Sequence, residues 1–505
     1  MRNEKIAQFL LFFVITLGVY LVFVDFAHLK FITADAGTYL NIAENIASHK
    51  GFVTSFNIYQ FFITHDHPLW PYIPPLYPLL CSLVFMLHGG IEQVIKLNIL
   101  ILGINTALIF YIIQTLVPSR FNLLFLIFLL FSFNFYHSAL FPWTEQFHLL
   151  LFLISFILFL RFSKQPRWLG WLGIINGVLF LIRVSQTYSI LAYLLVILVT
   201  DDKIQVRLKN AFIFTAGFMM VFVPYQLFNC LAYHSFFPQY IKPAAEYSLA
   251  GISNLSTYRP GVLGIYNPLG IRFSMANIRY FYEHLIRFGS TFFLFLIPVL
   301  ASLSPSRFKK EERYFILNCL CQSAFIVIGY SLGFSWQPKI EALRYSLIPF
   351  ILIGLAGWLC FYKLFLTSAA SWKKFLAVVI LVNLAFFSVY HYGEFRQRCM
   401  THLRGEKPYF GDLYGSYRWI DHHLPEDILI SSDEDQEAYF MHRPFISMPP
   451  GESFNCINLS LYDRMYSPDF YLLSSSIPDN CFTQMTRVMI FSNETFRILE
   501  IKRNK

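Results

Sequence analysis

The amino-acid sequence predicts a mainly α-helical membrane protein: a bundle of about eleven spans, interfacial helices in the first outer loop, and a small carboxy-terminal α/β domain. Three observations predict it. Of 505 residues, 56% are hydrophobic, 19% aromatic and only 14% charged, with a mean hydropathy of +0.51, which no soluble domain of this size shows. Apolar runs recur along residues 1–393, separated by short basic connections. From 394 to 505 charge rises and the long apolar runs stop, as in a folded domain that faces water. The formal charge of +9 does not point to nucleic acid, because Lys and Arg sit in the connections between apolar runs, where they set orientation.

Arg2 and Lys5 precede the first apolar run, 6–24. It starts like a signal sequence, but no small-residue cleavage site follows and the run is long enough to span, so it reads as an uncleaved first helix. Next comes Ala34-Asp35-Ala36-Gly37-Thr38-Tyr39. Asp35, Tyr39, Ala43, Ile46 and Ala47 share one helical face; Asn41, Glu44, Asn45 and Ser48 share the other. That pattern predicts a short amphipathic helix in the interface, ended by Gly51. Asp35 has two compatible readings there, an N-cap and a carboxylate held at the membrane surface. His65-Asp66-His67-Pro68 and Pro74-Pro75-Leu76-Tyr77-Pro78 make a rigid, non-helical approach to the next apolar piece, 76–87. It is too short for the roughly 20 residues a span needs.

Charge decides whether 76–87 crosses. If it does not, the later spans fall at 93–117, 121–140, 147–162, 168–183, 185–200, 210–229, 281–303, 314–333, 343–362 and 375–391. With the amino terminus inside, the inner connections then hold Arg120, Arg161, Lys164, Arg167, Lys203, Arg207, Lys209, Arg307, Lys309, Lys310, Arg313, Lys363, Lys373 and Lys374. A crossing at 76–87 would move that set outside, against the positive-inside rule. The non-crossing arrangement puts the Asp35 loop, the loop 230–280 and the tail on the outer side of the plasma (inner) membrane.

In the tail, 414–423 reads as a helix ended by Leu424-Pro425-Glu426-Asp427, and 435–441 as a second. Ile428-Leu429-Ile430, Phe445-Ile446-Ser447, 470–473, 487–491 and 495–501 read as strands. Short apolar strands alternating with helices suggest a small α/β domain. The eight cysteines contain no metal-type CxxC pair. Cys319 and Cys321 lie in an apolar run as core thiols, and Cys456 with Cys481 is a possible disulfide if the tail is outside.

No Gly-Lys-Ser phosphate loop, no GxGxxG after a strand, no HExxH and no GxSxG elbow is present, which weakens energy-coupled transport and soluble nucleotide-sugar binding. What remains is a set of ionisable residues at the outer interface: Asp35, Asp66, Glu145, Arg183, Lys242, Arg259, Arg272, Glu283, Lys339 and Arg344. Glu145, in Phe141-Pro142-Trp143-Thr144-Glu145, stands between two spans, where an interfacial anchor with Thr144 as cap is the plain alternative. Arg183 and Arg344 end spans and have snorkelling as theirs. Charges converging at membrane depth are expensive and mark function.

Together these residues resemble the polytopic GT-C glycosyltransferases, the group that includes the protein O-mannosyltransferases and the lipid A aminoarabinose transferase. Four places carry the resemblance: Asp35-Ala36-Gly37-Thr38-Tyr39-Leu40 with Ala43-Glu44-Asn45-Ile46 and Gly51; Pro74-Pro75-Leu76-Tyr77-Pro78-Leu79-Leu80; Thr144-Glu145 with Leu181-Ile182-Arg183; and Arg344-Tyr345 with Pro349. The tail, Tyr417-Arg418-Trp419-Ile420 through Leu424-Pro425-Glu426-Asp427, looks like that family's extracytoplasmic domain. One departure is Ala36, where many members carry a second acid.

The resemblance implies a sugar donor on polyprenyl phosphate, an acceptor that is a lipid, a glycan or a protein, and inverting transfer at the outer face. It implies Asp35 as the catalytic general base with Glu145 as a second catalytic-site carboxylate, and Arg183, Lys242, Arg259, Lys339 and Arg344 as phosphate-facing cations, with Tyr39, Asp66 and Tyr77 as further substrate contacts. Metal dependence varies in that superfamily, so a divalent metal at His65-Asp66-His67 or Glu283-His284 stays open. The competing readings are a lipid-linked glycan polymerase or ligase and a flippase or transporter. A transporter predicts mid-membrane charge and related halves, neither of which is seen.

Overall fold

The computed structural model describes residues 2–29, 34–54, 56–57, 73–162, 165, 167–183, 186–200, 203–233, 308–333, 347–367, 370–403, 416, 419–420, 422–425, 428, 430–432, 445–447, 469–474, 487–492 and 496–501. Helices dominate. In chain order they are α1 (Arg2–Phe23), with a 3-10 turn at Val24–Leu29, α2 (Ala34–Ala47), α3 (Leu76–Met86), α4 (Ile91–Leu116), α5 (Asn122–Leu130) and α6 (Phe133–His137). Then follow α7 (Glu145–Phe162), α8 (Trp168–Phe180), α9 (Gln186–Thr200), α10 (Ile204–Tyr233), α11 (Lys310–Gly333), α12 (Leu347–Phe361) and α13 (Ser371–Leu403). Among the described residues six helices are long and apolar enough to cross a membrane: Gln8–His28, Ile91–Leu116, Glu145–Phe162, Ile204–Leu231, Leu347–Leu366 and Ser371–Gln397. The expected span 281–303 lies outside the described residues.

The apolar piece after the proline run is a short helix, as its length requires. α3 stops when His88 turns left-handed (φ 58) and the Gly89 amide donates to the Val84 carbonyl (2.9 Å), which closes the helix end. Two expectations need correction. The run 121–140 is not one helix: Ser132 is extended (ψ 133) and its hydroxyl donates to the Leu129 carbonyl (2.6 Å), separating α5 from α6. Serine's own hydrogen bond competes with the helical ladder there. Nor does α2 keep a wet face. Ala36, Thr38, Leu40, Ile42, Ala43 and Asn45 are all buried, because α2 packs on α3 and its polar residues grip the loop that follows.

Glycine sets how closely the bundle packs. α8 lies against α10 along Gly170, Gly173 and Gly177, facing Gly217. A Cβ on Gly173 would run into the Phe214 carbonyl and one on Gly177 would come within 2.7 Å of the Val221 Cβ. Helices in lipid gain nothing from hiding apolar surface from water, so close backbone approach through small residues is what holds them. Gly103 of α4 does the same against α1, where an added Cβ would lie 2.6 Å from the Thr16 carbonyl oxygen.

The sheet has six strands in the order β1-β3-β2-β4-β6-β5: β1 (Phe56–Asn57), β2 (Ile430–Ser432), β3 (Phe445–Ser447), β4 (Phe470–Ser474), β5 (Arg487–Ser492) and β6 (Phe496–Ile501). β1, β3, β2 and β4 are parallel; β6 runs antiparallel to both β4 and β5. All five tail strands form where short apolar runs predict them, within a residue or two. Ile430, Tyr471, Leu472, Leu473, Ile498 and Leu499 form the buried centre. β1 comes from the loop between α2 and α3 and not from the tail. α13 continues through 394 to Leu403, so one unbroken helix leads from the bundle into the tail. The predicted helix at 435–441 lies outside the described residues.

Candidate active site

Four chain segments meet where α2, the start of α3, the start of α7 and the end of α8 come together. α2 spans Ala34–Ala47, which puts Asp35 in its first turn. An acidic residue in that turn is favoured by the partial positive charge of the helix start. One turn on, the Tyr39 ring meets Tyr77 of α3 edge-on, with centroids 5.4 Å apart and planes at 85°.

Tyr77 is the buried hub. Asn98 of α4 donates from Nδ2 to the Tyr77 hydroxyl (3.0 Å) and to the carbonyls of Phe141 (2.7 Å) and Trp143 (3.3 Å). One amide thus ties α3 and α4 to the segment that leads into α7. Burial pushes the Tyr77 phenol well above its ordinary pKa, with the nearby Cys81 and Glu145 acting in the same direction, so it stays neutral. The Leu76 amide donates to the Leu181 carbonyl (3.0 Å), which fixes the start of α3 to the residues just before Arg183.

Glu145 opens α7 and takes Nη1 of Arg183 on its Oε1 at 2.9 Å. The side chains are 1% and 13% exposed, so this is a buried ion pair rather than an interfacial anchor beside a snorkelling arginine. The Thr144 hydroxyl, expected as the cap, is buried and makes no hydrogen bond among the described residues. Trp143, just ahead of α7, stacks on Phe141 at 4.2 Å.

A chain of neutral polar groups supports the pair from below. Asn176 of α8 donates from Nδ2 to the Leu172 carbonyl (2.7 Å) and accepts on Oδ1 from Gln186 Nε2 (2.8 Å). Gln186 Oε1 must therefore accept from His148 Nε2, 2.9 Å away, which places a proton on that nitrogen. The Gln186 amide donates to the Arg183 carbonyl (3.0 Å), so the same residue holds the turn that carries the arginine.

The structure thus brings α2, whose first turn holds Asp35, against Tyr77 through Tyr39, and pairs Glu145 with Arg183. Asp66, Lys242, Arg259, Lys339 and Arg344 lie outside the described residues, as do His65, His67, Arg272, Glu283, His284, Cys456 and Cys481. Sequence reasoning missed Asn98, His148, Asn176 and Gln186. Their signal is that each is a polar side chain inside an apolar run, where an isolated polar residue looks like an ordinary interruption. Among the described residues no group of three or more His, Cys, Asp or Glu is placed to hold a metal ion.

Comparison with known proteins bears on the whole chain. The family model described as dolichyl-phosphate-mannose-protein mannosyltransferase matches residues 66–228, which reach from the loop between α2 and α3 into α10. Among curated proteins no sequence matches. ArnT from Cupriavidus metallidurans bound to undecaprenyl phosphate is similar in fold, with a TM-score of 0.63 at 13% identity over 98% of this chain and 98% of that one. The archaeal oligosaccharyltransferase AglB from Archaeoglobus fulgidus, in complex with an inhibitory peptide and a dolichol-phosphate, gives 0.50 at 11% identity over 91% of this chain and 69% of that one. The resemblance drawn from the sequence holds at the level of the fold: the chain is a membrane protein whose fold is similar to that of ArnT.

Proposed function

We propose that the protein is an inverting glycosyltransferase that moves a hexosyl or pentosyl unit from a polyprenyl-phosphate donor to a lipid, glycan or protein acceptor at the extracytoplasmic face of the membrane. The observation that carries this reading is the convergence of α2, bearing Asp35, with Tyr77 and the buried Glu145–Arg183 pair. The family match and the fold shared with a protein crystallised on undecaprenyl phosphate support it.

Each residue then has a chemical task. Asp35 accepts the proton of the acceptor hydroxyl or amine as that atom attacks the anomeric carbon. The bond from the anomeric carbon to the phosphate oxygen breaks on the opposite face, and the configuration inverts. The leaving phosphate gains negative charge, which a cation already in place stabilises. Arg183 is that cation, held in orientation by Glu145, a guanidinium being suited to charge-assisted contacts with phosphate. Lys242, Arg259, Lys339 and Arg344 supply further charge, Tyr39 and Tyr77 shape the sugar subsite, and Asp66 orients the acceptor. Residues 1–393 hold the transfer site and 394–505 form the outward-facing domain.

Mass spectrometry of lipids and envelope glycans from cells with and without the protein tests the reading. One sugar missing from one glycan class, with its polyprenyl-phosphate form accumulating, is the expected result. An unchanged glycan profile, or loss of whole glycan chains with every sugar present in precursor form, removes it in favour of no transfer role or of a polymerase or ligase.

A further inference from the structure

The loop between α2 and α3 does not end at the membrane-side site. Phe56 and Asn57 form the edge strand of the tail sheet, in parallel register with Phe445 and Ile446 of β3. Immediately before that strand, Val53 and Thr54 are buried and held by α2. Asn45 Nδ2 donates to the Val53 carbonyl (3.0 Å) and to Asn41 Oδ1 (3.3 Å), and the Thr54 hydroxyl donates to the same Asn41 oxygen (3.2 Å). The turn between is compact, with His49 at φ 60 and Gly51 at φ 92.

These bonds hold the residues just ahead of β1 to the helix that carries Asp35, so one short stretch of chain meets the tail sheet at one end and α2 at the other. Asn45 lies ten residues beyond Asp35 on α2, about 15 Å along a rigid rod. A 14-residue helix is marginal alone, so its placement comes from what it packs against and what grips its end. Burying an asparagine amide is costly unless its bonds are met, and Asn45 meets them on the residues leading into β1.

We propose that Asn41 and Asn45 are positioning residues, through which strand β1 makes the carboxy-terminal sheet set the placement of the helix that carries Asp35. The tail is then a working part of the transfer site although it adds no group to the chemistry. The catalytic part of this inference rests on the proposed transfer function, but the coupling does not.

The test is amide hydrogen exchange on the full-length protein in lipid nanodiscs, read peptide by peptide. Phe56→Pro and Asn57→Pro each remove an amide donor, and one of the two interrupts β1–β3; Phe56→Ala and Asn57→Ala keep the backbone. Asn45→Ala cuts the other end of the connection and guards against a proline variant that fails to fold. For Asn45→Ala and for one proline variant, exchange across α2 should rise about tenfold while α7 to α9 stay protected; the alanine controls at 56 and 57 should leave it unchanged. In a transfer assay the same two variants should lose up to about a hundredfold in kcat with little change in KM. Unchanged protection of α2 in both proline variants overturns the coupling, whatever the activity. Faster exchange in an otherwise folded protein with no transfer by the parent would leave the coupling standing and remove the proposed function.

Discussion

Glu145 and Arg183, 38 residues apart in sequence, hold each other at 2.9 Å inside the bundle. Two opposite charges taken out of water are stable only together. Removing one leaves the other buried and uncompensated, a loss of about 3–5 kcal/mol. Arg183→Ala and Glu145→Gln should therefore each lower the thermal midpoint in detergent. The double variant Glu145→Gln with Arg183→Ala should lose less than the two single losses added together. Strict additivity would show that the pair is not coupled.

Gln186 links His148, Asn176 and the Arg183 turn, so Gln186→Leu should leave a histidine N–H and an amide oxygen without partners, at about 1–3 kcal/mol for each. It should also weaken binding of undecaprenyl phosphate, because the turn bearing Arg183 loses its support. Native mass spectrometry with that lipid measures the effect. Full affinity in Gln186→Leu would separate the polar chain from the phosphate site.

The α8–α10 contact gives a purely structural prediction. Gly173→Ala places a methyl group against the Phe214 backbone, where no side chain can move aside. Forced separation of two packed helices costs about 1–3 kcal/mol, as overpacking does elsewhere. Gly18→Ala, where an added Cβ meets nothing within 4 Å, is the matched control. Equal melting temperatures for the two variants would contradict the packing account.

Topology follows from the basic connections. Reporter fusions at Lys310 and at Lys505 should mark opposite compartments, Lys310 inside and Lys505 outside. The same compartment at both would contradict the eleven-span arrangement, and Lys310 outside with Lys505 inside would contradict the reading in which α3 does not cross.

Much of this architecture is legible in the sequence because membrane spans announce themselves by length and charge, and the tail strands by short apolar runs between polar turns. Tyr77, Glu145 and Arg183 stand out because a ring or a charge at an interface is unusual. Their being neighbours is not legible: Arg183 meets Glu145, and Leu76 meets Leu181, only once the helices pack. The interruption at Ser132 depends on one hydroxyl choosing its own backbone, and an apolar run of 121–140 hides it. β1 is two residues long, too short to leave a periodic signal, and it exists because β3 offers it an edge. Asn98 and Gln186 look like ordinary polar interruptions until their partners are seen.

The comparison that bears most directly on the central claim is Asp35→Asn against Asp66→Asn, at matched expression and with purified lipid-linked sugar donor. Asparagine keeps the size and hydrogen-bonding reach of aspartate but cannot take a proton. As the general base, Asp35→Asn should lose about 10²- to 10⁴-fold in turnover with donor binding retained, while Asp66→Asn should change acceptor KM more than turnover. Full turnover in Asp35→Asn would take that carboxylate out of the mechanism and contradict the assignment of the transfer site to α2.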